Sequence, residues 1–356
     1  MFIPINKGQF TLETQERIDA FNIKRGYGVL EDFFKNRRQW VDFPKNQYVA
    51  DYPLHIDIEL SSLCNLQCPM CYTITDQFKT KVNTQLMDYD LFKKIVDECA
   101  VGDVYSIRLS LRGESFLHPR IVECVNYAKT KGIKEVSTLT NGYRLDEELF
   151  TQVMHAGLDW ITISFDGLGK TYEKIRHPAT YERAVQKVTN YFGIKKKYRF
   201  IKPVIKVQSI YPAIKDNPSA YYEVFAPITD MVSANPLIDY LKKDTGQVVQ
   251  YEKNFSCPQL YQRLAVGADG KIMMCSNDIE NEQVLGNAYT QTIHEMWHCT
   301  KLERARSIHK LHKGIKEYNV CSKCYLPRKT ESSIVTIDNK EIIAENYVNR
   351  SQVIGS

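Results

Sequence analysis

Six apolar, strand-like runs recur between residues 54 and 234, each separated from the next by a helical stretch. That alternation limits the fold more than any other feature of the chain. The runs are Leu54–Leu60, Val104–Leu111, Glu135–Thr140, Trp160–Phe165, Phe200–Ser209 and Asp230–Ala234. Between them lie amphipathic patterns at Tyr89–Cys99, Arg120–Lys131, Leu145–His155, Ala184–Tyr191 and Ala220–Phe225. Apolar strands alternating with helices predict a parallel sheet covered by helices. Six repeats rather than eight predict an α/β fold of partial (β/α)6, TIM-like barrel type over residues 51–235, although an open doubly wound sheet has the same spacing. In either architecture ligands sit at the C-terminal ends of the strands.

The flanks have other textures. Residues 1–50 form a helical N-terminal extension, with Leu30, Phe33, Phe34, Trp40 and Val41 on one face and Lys35, Arg37 and Arg38 on the other. Residues 236–256 are polar, without a clear period, and form a connector. Residues 257–328 make a small α+β unit. Asp269-Gly270 between two apolar runs is a hairpin signal, followed by a helix over roughly Ile293–Ser307. The tail, 329–356, includes a second hairpin pattern at Ile334–Ile343.

A chain of 356 residues can bury a full core, and 43% hydrophobic with 25% charged residues are ordinary globular values. No apolar run approaches the roughly 20 residues that span a bilayer. The N-terminus lacks the basic-then-apolar order of a signal peptide, so a cytoplasmic protein with no membrane partner is expected. The net charge of +5 is mild, and Lys195-Lys196-Lys197-Tyr198-Arg199 reads as a solvated helix end, which disfavours nucleic acid as a partner. Ten cysteines in a reducing compartment point to metal or cluster ligation rather than disulfides.

Seven of the ten fall into two groups. Cys64, Cys68 and Cys71 have C-x3-C-x2-C spacing on a short loop, with Pro69, just after the first strand-like run. Three thiolates on one loop can hold three corners of a cubane 4Fe–4S cluster and leave its fourth iron open. A structural zinc site is the alternative, but three cysteines without a nearby fourth ligand make a poor closed tetrahedron. Cys257 and Cys275, with Cys321-Ser322-Lys323-Cys324, form the second group. Four thiolates can fully ligate a second 4Fe–4S cluster, or a zinc ion.

The three-cysteine loop resembles that of the radical S-adenosylmethionine (SAM) superfamily, and the resemblance continues in order along the strand ends over roughly 54–235. Ser110-Leu111-Arg112-Gly113-Glu114 is similar to the family's Gly-Gly-Glu motif, with Arg112 in place of the first glycine. By this resemblance Glu114 meets the SAM amino group, and Gly113 permits close backbone approach. Thr138-Leu139-Thr140-Asn141-Gly142 matches the family's Thr-Asn-Gly run, and Ser164-Phe165-Asp166-Gly167 its Ser-x-Asp-Gly segment near the ribose. Arg176 lies where family members pair an arginine with the SAM carboxylate. Gln208 and Ser209 close the fifth strand, where polar SAM contacts occur, and Tyr72 lies where an aromatic residue borders the adenine. The resemblance implies SAM as cofactor, with flavodoxin or ferredoxin as electron donor.

The second group then resembles the twitch domain, a shortened form of SPASM. The Gly270-x4-Cys275 ending, Leu285-Gly286-Asn287 and Ile293-His294-Glu295-Met296-Trp297 all match. No cysteine follows Cys324, so one auxiliary cluster is expected, with four protein ligands. Cys99, Cys124 and Cys299 are left over. Cys99 and Cys124 fit buried helix positions. Cys299 is either another such residue or, by analogy with some radical SAM epimerases, a hydrogen donor.

Twitch-type proteins include dehydrogenases and epimerases of aminocyclitols and sugars, so the resemblance implies oxidation or epimerisation of a carbohydrate-like or nucleotide-linked small molecule. A peptide maturase is the enzyme alternative, and a non-catalytic iron–sulfur or zinc protein the other. No proton acceptor or other catalytic side chain can be named from the sequence.

Overall fold

The computed structural model describes residues 1–5, 10–237, 248–348 and 354. A two-residue strand, β1 (Phe10–Thr11), precedes helices α1 (Gln15–Arg25) and α2 (Leu30–Asn46). Then strands and helices alternate: β2 (His55–Ile58), α3 (Asp76–Lys81), α4 (Tyr89–Val101), β3 (Ser106–Arg108), α5 (Ile121–Thr130), β4 (Glu135–Thr140), α6 (Glu147–His155) and β5 (Trp160–Ser164). They continue with α7 (Gly169–Ile175), α8 (Tyr181–Tyr198), β6 (Val204–Ile210), α9 (Pro218–Phe225) and β7 (Met231–Asn235).

Strands β2 to β7 are parallel and lie side by side in chain order. A doubly wound sheet reverses its strand order at a switch point. No reversal occurs within β2–β7, and the fold is a partial (β/α)6 barrel. Its strands are not apolar on both faces. Ile56, Ile58, Ile107, Val136, Ile161, Val207 and Val232 are buried in one continuous core with helix residues such as Phe92, Ile95, Cys99, Cys124 and Phe150. The alternate positions, including Asp57, Glu59, Thr162 and Ser233, are buried polar groups, as the period of two in a strand requires.

Both edges of the barrel sheet are extended. β1 pairs antiparallel with β7, Phe10 opposite Ala234. On the other side β8 (Arg263–Val266) lies parallel to β2, and β9 (Lys271–Met273) and β10 (Val284–Asn287) follow antiparallel. Ten strands therefore form one sheet through both cysteine-bearing regions. Gly270 has φ +80 in the β8–β9 turn, as a tight hairpin requires. Beyond lie α10 (Ile293–Trp297), α11 (Thr300–Lys310), α12 (Gly314–Glu317) and α13 (Asn319–Lys323), then the hairpin of β11 (Thr330–Ile337) and β12 (Lys340–Tyr347).

The first two helices stop the N-terminal mouth of the barrel. Phe21 packs edge-on against Trp160 at 5.9 Å, and Arg25 lies 4.1 Å over the same ring. Arg25 also donates to both Glu135 oxygens at 2.5 and 2.7 Å. Trp40 meets the His55 ring at 6.1 Å. His55, Glu135 and Trp160 are the first residues of three strands, so this plug lies at the end opposite the Cys64 loop.

Several expectations are corrected. In α2, Phe33 is buried while Leu30 and Phe34 are exposed, so they do not share one buried face. The helix expected over Ile293–Ser307 breaks at His298-Cys299, where Cys299 takes an extended backbone (φ −70, ψ 151) and caps α11. Lys195 is not solvated: it is buried, with Nζ 2.8 Å from Asp230, while Lys196, Lys197 and Arg199 remain exposed. Within the expected connector, residues 238–247 lie outside the described residues, as do 349–353, 355 and 356 of the tail.

Candidate active site

The Cys64 loop leaves the C-terminal end of β2 and is held by backbone contacts. Ser62 N–H donates to Gln85 O at 3.0 Å, and Cys71 N–H to Cys68 O at 2.9 Å. Thr75 then caps α3 by accepting from Phe78 N–H at 3.1 Å. Cys64 is exposed, Cys68 buried and Cys71 half-buried. Tyr72 opens a single 3₁₀ turn and packs edge-on against Phe78 at 5.5 Å.

Gly113 has a role in addition to the one expected of it. A Cβ there would lie 2.3 Å from Leu63 O and 2.5 Å from Ser61 O. The close approach that needs glycine is to the cysteine loop itself, and Glu114 N–H seals it with a 2.8 Å bond to Leu63 O. Glu114 is buried and accepts from Thr140 Oγ1 and Asn141 N–H, each at 2.7 Å, and from Phe116 N–H at 3.1 Å. Burial holds its pKa above the ordinary carboxylate value, against the pull of these donors. Among the described residues no lysine or arginine forms an ion pair with it, so an ammonium group is its natural complement. Asn141 reaches into the loop, donating to Asn65 Oδ1 at 2.9 Å and lying 3.8 Å from Cys64 Sγ.

The next strand ends carry a polar row. Ser164 is in register with Gln208, and Gln208 with Ser233. Ser233 Oγ and, above it, Asn235 Oδ1 are buried with no hydrogen-bond partner among the described residues. Asp166 and Arg176 come together, but with each other. Arg176 donates through Nε at 2.8 Å and through a second, shorter bond to Asp166 Oδ2, while Asp166 Oδ1 accepts from Ile210 N–H at 2.8 Å. The arginine fork expected to meet a ligand carboxylate thus lies on an internal aspartate.

The second cysteine group also converges. Cys257 precedes β8, Cys275 follows β9, and α13 delivers Cys321 and Cys324; all four line one cavity with Phe255, Met274 and Leu326. Asn277 Nδ2 and Leu326 N–H each lie 3.4 Å from Cys324 Sγ. Both cysteine groups fit iron–sulfur clusters better than single ions. Zinc–sulfur bonds of ~2.3 Å put the sulfurs of a tetrahedral site about 3.8 Å apart. Among the described residues, the only three metal-ligating side chains whose ligand atoms all lie within 4.8 Å of one another are Asp51, His294 and His298. Neither cysteine group is gathered to single-ion spacing. Burial pushes the Cys68 thiol up to about 11, Cys257 to about 12 and Cys324 to about 11, and Cys275 and Cys321 also upward. Such thiols ionise when a positively charged metal centre compensates them.

Two features lay beyond the sequence reading. Arg112, read only as a departure from a glycine motif, is a buried bridge. It donates to both oxygens of Glu59, at 2.7 and 2.5 Å, and reaches Asn281 Oδ1 at 2.9 Å. Glu59 also accepts from Ala268 N–H at 3.0 Å, so the pair joins the strand before the Cys64 loop to the auxiliary region. The acid at 59 and the arginine at 112 were each visible, but nothing local paired them. His309, at the four-cysteine cavity, gave no spacing signal. Cys299 is placed against the hydrogen-donor option: Trp297 and His298 beside it bond Ala50 O and Asp51 O, at the N-terminal end of β2.

A partial barrel with a three-cysteine loop at its C-terminal rim and a four-cysteine site on the same sheet defines an iron–sulfur redox class. The Radical SAM superfamily matches over residues 58–200, and SPASM, an iron–sulfur cluster-binding domain, over 257–325. The chain belongs to the radical SAM superfamily and carries a SPASM/twitch-type auxiliary region, so its cofactors are SAM, a 4Fe–4S cluster and an auxiliary iron–sulfur cluster. It is 30% identical over 146 residues to the tungsten-containing aldehyde ferredoxin oxidoreductase cofactor-modifying protein of Pyrococcus furiosus, covering 37% of this chain and only 40% of that relative's length. BtrN in complex with AdoMet and 2-DOIA superposes with TM-score 0.53 at 18% identity, over 76% of this chain and 92% of BtrN. Streptococcus suis SuiB bound to S-adenosylmethionine gives 0.56 at 12% identity, over 87% and 82%. These likenesses support the fold. No helix among the described residues is long and apolar enough to cross a membrane.

Proposed function

We propose that this enzyme abstracts hydrogen from a C–H bond of a hydroxyl-bearing small molecule, carbohydrate-like or nucleotide-linked, and oxidises or epimerises it. Cys64, Cys68 and Cys71 would hold the SAM-binding cluster, and Cys257, Cys275, Cys321 and Cys324 the auxiliary one. When bound, these groups supply one electron to break a carbon–sulfur bond of SAM, a 5′-deoxyadenosyl radical, and an acceptor for the electron left on the substrate. An external flavodoxin or ferredoxin would provide the first electron, in the cytoplasm.

The chain's own groups have definable tasks. Glu114, buried and ion-paired with no lysine or arginine among the described residues, would take the SAM ammonium. Ser164 and Gln208 would meet its ribose side, Tyr72 would border the adenine, and Asn141 and Gly113 would hold the loop against the strand ends. Asp166 would keep Arg176 charged and oriented. At a carbinol carbon, loss of a hydrogen atom, then of the hydroxyl proton and one electron, gives a ketone; epimerisation instead returns a hydrogen atom to the opposite face.

The observation that supports oxidation is the convergence of four thiols on one cavity, a set that would leave an auxiliary cluster no open corner for substrate. Ser233 Oγ and Asn235 Oδ1, buried and without a partner among the described residues beside the Ser164–Gln208 row, support a substrate rich in hydrogen-bonding groups. The test is anaerobic incubation with SAM and deuterated sugars, nucleotide sugars or peptides, following label into 5′-deoxyadenosine. Label from a carbinol position supports the proposal. Label from a peptide carbon alone contradicts it and favours peptide maturation.

A further inference from the structure

A polar ring is sealed into the four-cysteine site. His309, in the last turn of α11, is fully buried and lines the same cavity as Cys257, Cys275, Cys321 and Cys324. Its Nε2 lies 3.6 Å from Cys321 Sγ. Its Nδ1 is buried and has no hydrogen-bond partner among the described residues. Three neighbours fix the ring: Phe255 edge-on at 5.9 Å, Tyr318 parallel to it with centroids 6.2 Å apart, and Gly314, where a Cβ would come within 2.1 Å of Cε1. An unpaired buried polar atom costs on the order of 1–3 kcal/mol, and an apolar side chain of similar size would avoid it.

The tautomer follows from the surroundings. A neutral imidazole carries its proton on one of its two nitrogens. A proton on Nδ1 would be an orphaned donor and would turn a bare Nε2 lone pair toward a sulfur that is negative when it ligates iron. A proton on Nε2 points an N–H at that sulfur. We propose that His309 donates an N–H···S hydrogen bond to the Cys321 sulfur of the auxiliary cluster and so raises that cluster's reduction potential. The bond stabilises the extra negative charge of the reduced state, which makes the site a better acceptor. His309 is thus a positioning and tuning residue, acting through Cys321. The inference rests on the auxiliary-cluster part of the proposed function and is independent of the substrate.

The test uses the full chain with Cys64, Cys68 and Cys71 replaced by alanine, so that only the auxiliary cluster is read. Potentiometric EPR on His309→Phe is expected to show a cubane whose one-electron reduction is about tenfold less favourable, ~59 mV. The strongest exchangeable proton coupling should vanish with it. An unchanged potential and coupling would overturn the inference. If the variant assembles no cluster, the unsubstituted site labelled with ¹⁵N-histidine decides. A weak nitrogen coupling transmitted through a hydrogen bond is expected; no coupling, or the strong coupling of a nitrogen bound to iron, would overturn it. Absence of any cubane signal in the parent would instead sink the auxiliary-cluster assignment itself.

Discussion

At Gly113 a single missing methyl group decides whether the cysteine loop can close. Because a Cβ would meet Leu63 O and Ser61 O at 2.3 and 2.5 Å, Gly113→Ala must push the loop away from the strand end. Iron in reconstituted protein is expected to fall from about eight to about four atoms per chain, with the auxiliary cluster's signal retained. Lys206 offers a pH test. It is buried on β6 beside Trp160 and Arg25, and burial holds its pKa down at about 7. The unfolded side chain titrates near ~10.4. Between these values the unfolded chain binds more protons, so stability rises with pH across that window. Lys206→Met should therefore stabilise the protein by a few kcal/mol at pH 6, a gain in urea midpoint that shrinks toward pH 10. The sequence singled out the seven grouped cysteines and Glu114 because spacing and local motif carry that information. It passed over Lys206 and His309, whose positions arise only when distant elements enclose them.

Among the elements, α1 and α2 do more than extend the chain. Arg25 on α1 compensates Glu135 in the barrel mouth, with 10% and 3% of the two side chains exposed. Removing one partner of a buried pair typically costs 3–5 kcal/mol, so Arg25→Ala should lower stability by about that much in urea titration. Arg25→Lys should recover only part of it, since an ammonium lacks the two-pronged fork. Elements with a strong internal period were legible: β4 was placed at its observed limits, and α4 and α5 to within two residues. Elements fixed from outside were not. β1 is two residues long and exists because the β7 edge is available to it. The break between α10 and α11 is hidden because one apolar period runs through both, while Cys299 leaves the helical conformation.

At the scale of the whole molecule, the two cysteine sites share one sheet. The β8–β9 hairpin was legible from Asp269-Gly270, but its parallel pairing with β2, some 200 residues earlier in the chain, was not. That pairing sets the auxiliary site beside the barrel, and the buried Arg112–Glu59 pair ties the rim to Asn281 and Ala268. The partial barrel was legible as a class, since six strand–helix repeats admit few topologies; only the strand order excluded the doubly wound alternative. The proposed reductive cleavage of SAM at the three-cysteine loop is the decisive claim. Anaerobically reconstituted protein, given SAM and a strong one-electron reductant, is expected to form 5′-deoxyadenosine. Cys64→Ala should abolish that product, and Cys124→Ala, in the buried face of α5, should leave it intact. No 5′-deoxyadenosine from the parent protein, or an undiminished yield from Cys64→Ala, would contradict the mechanism.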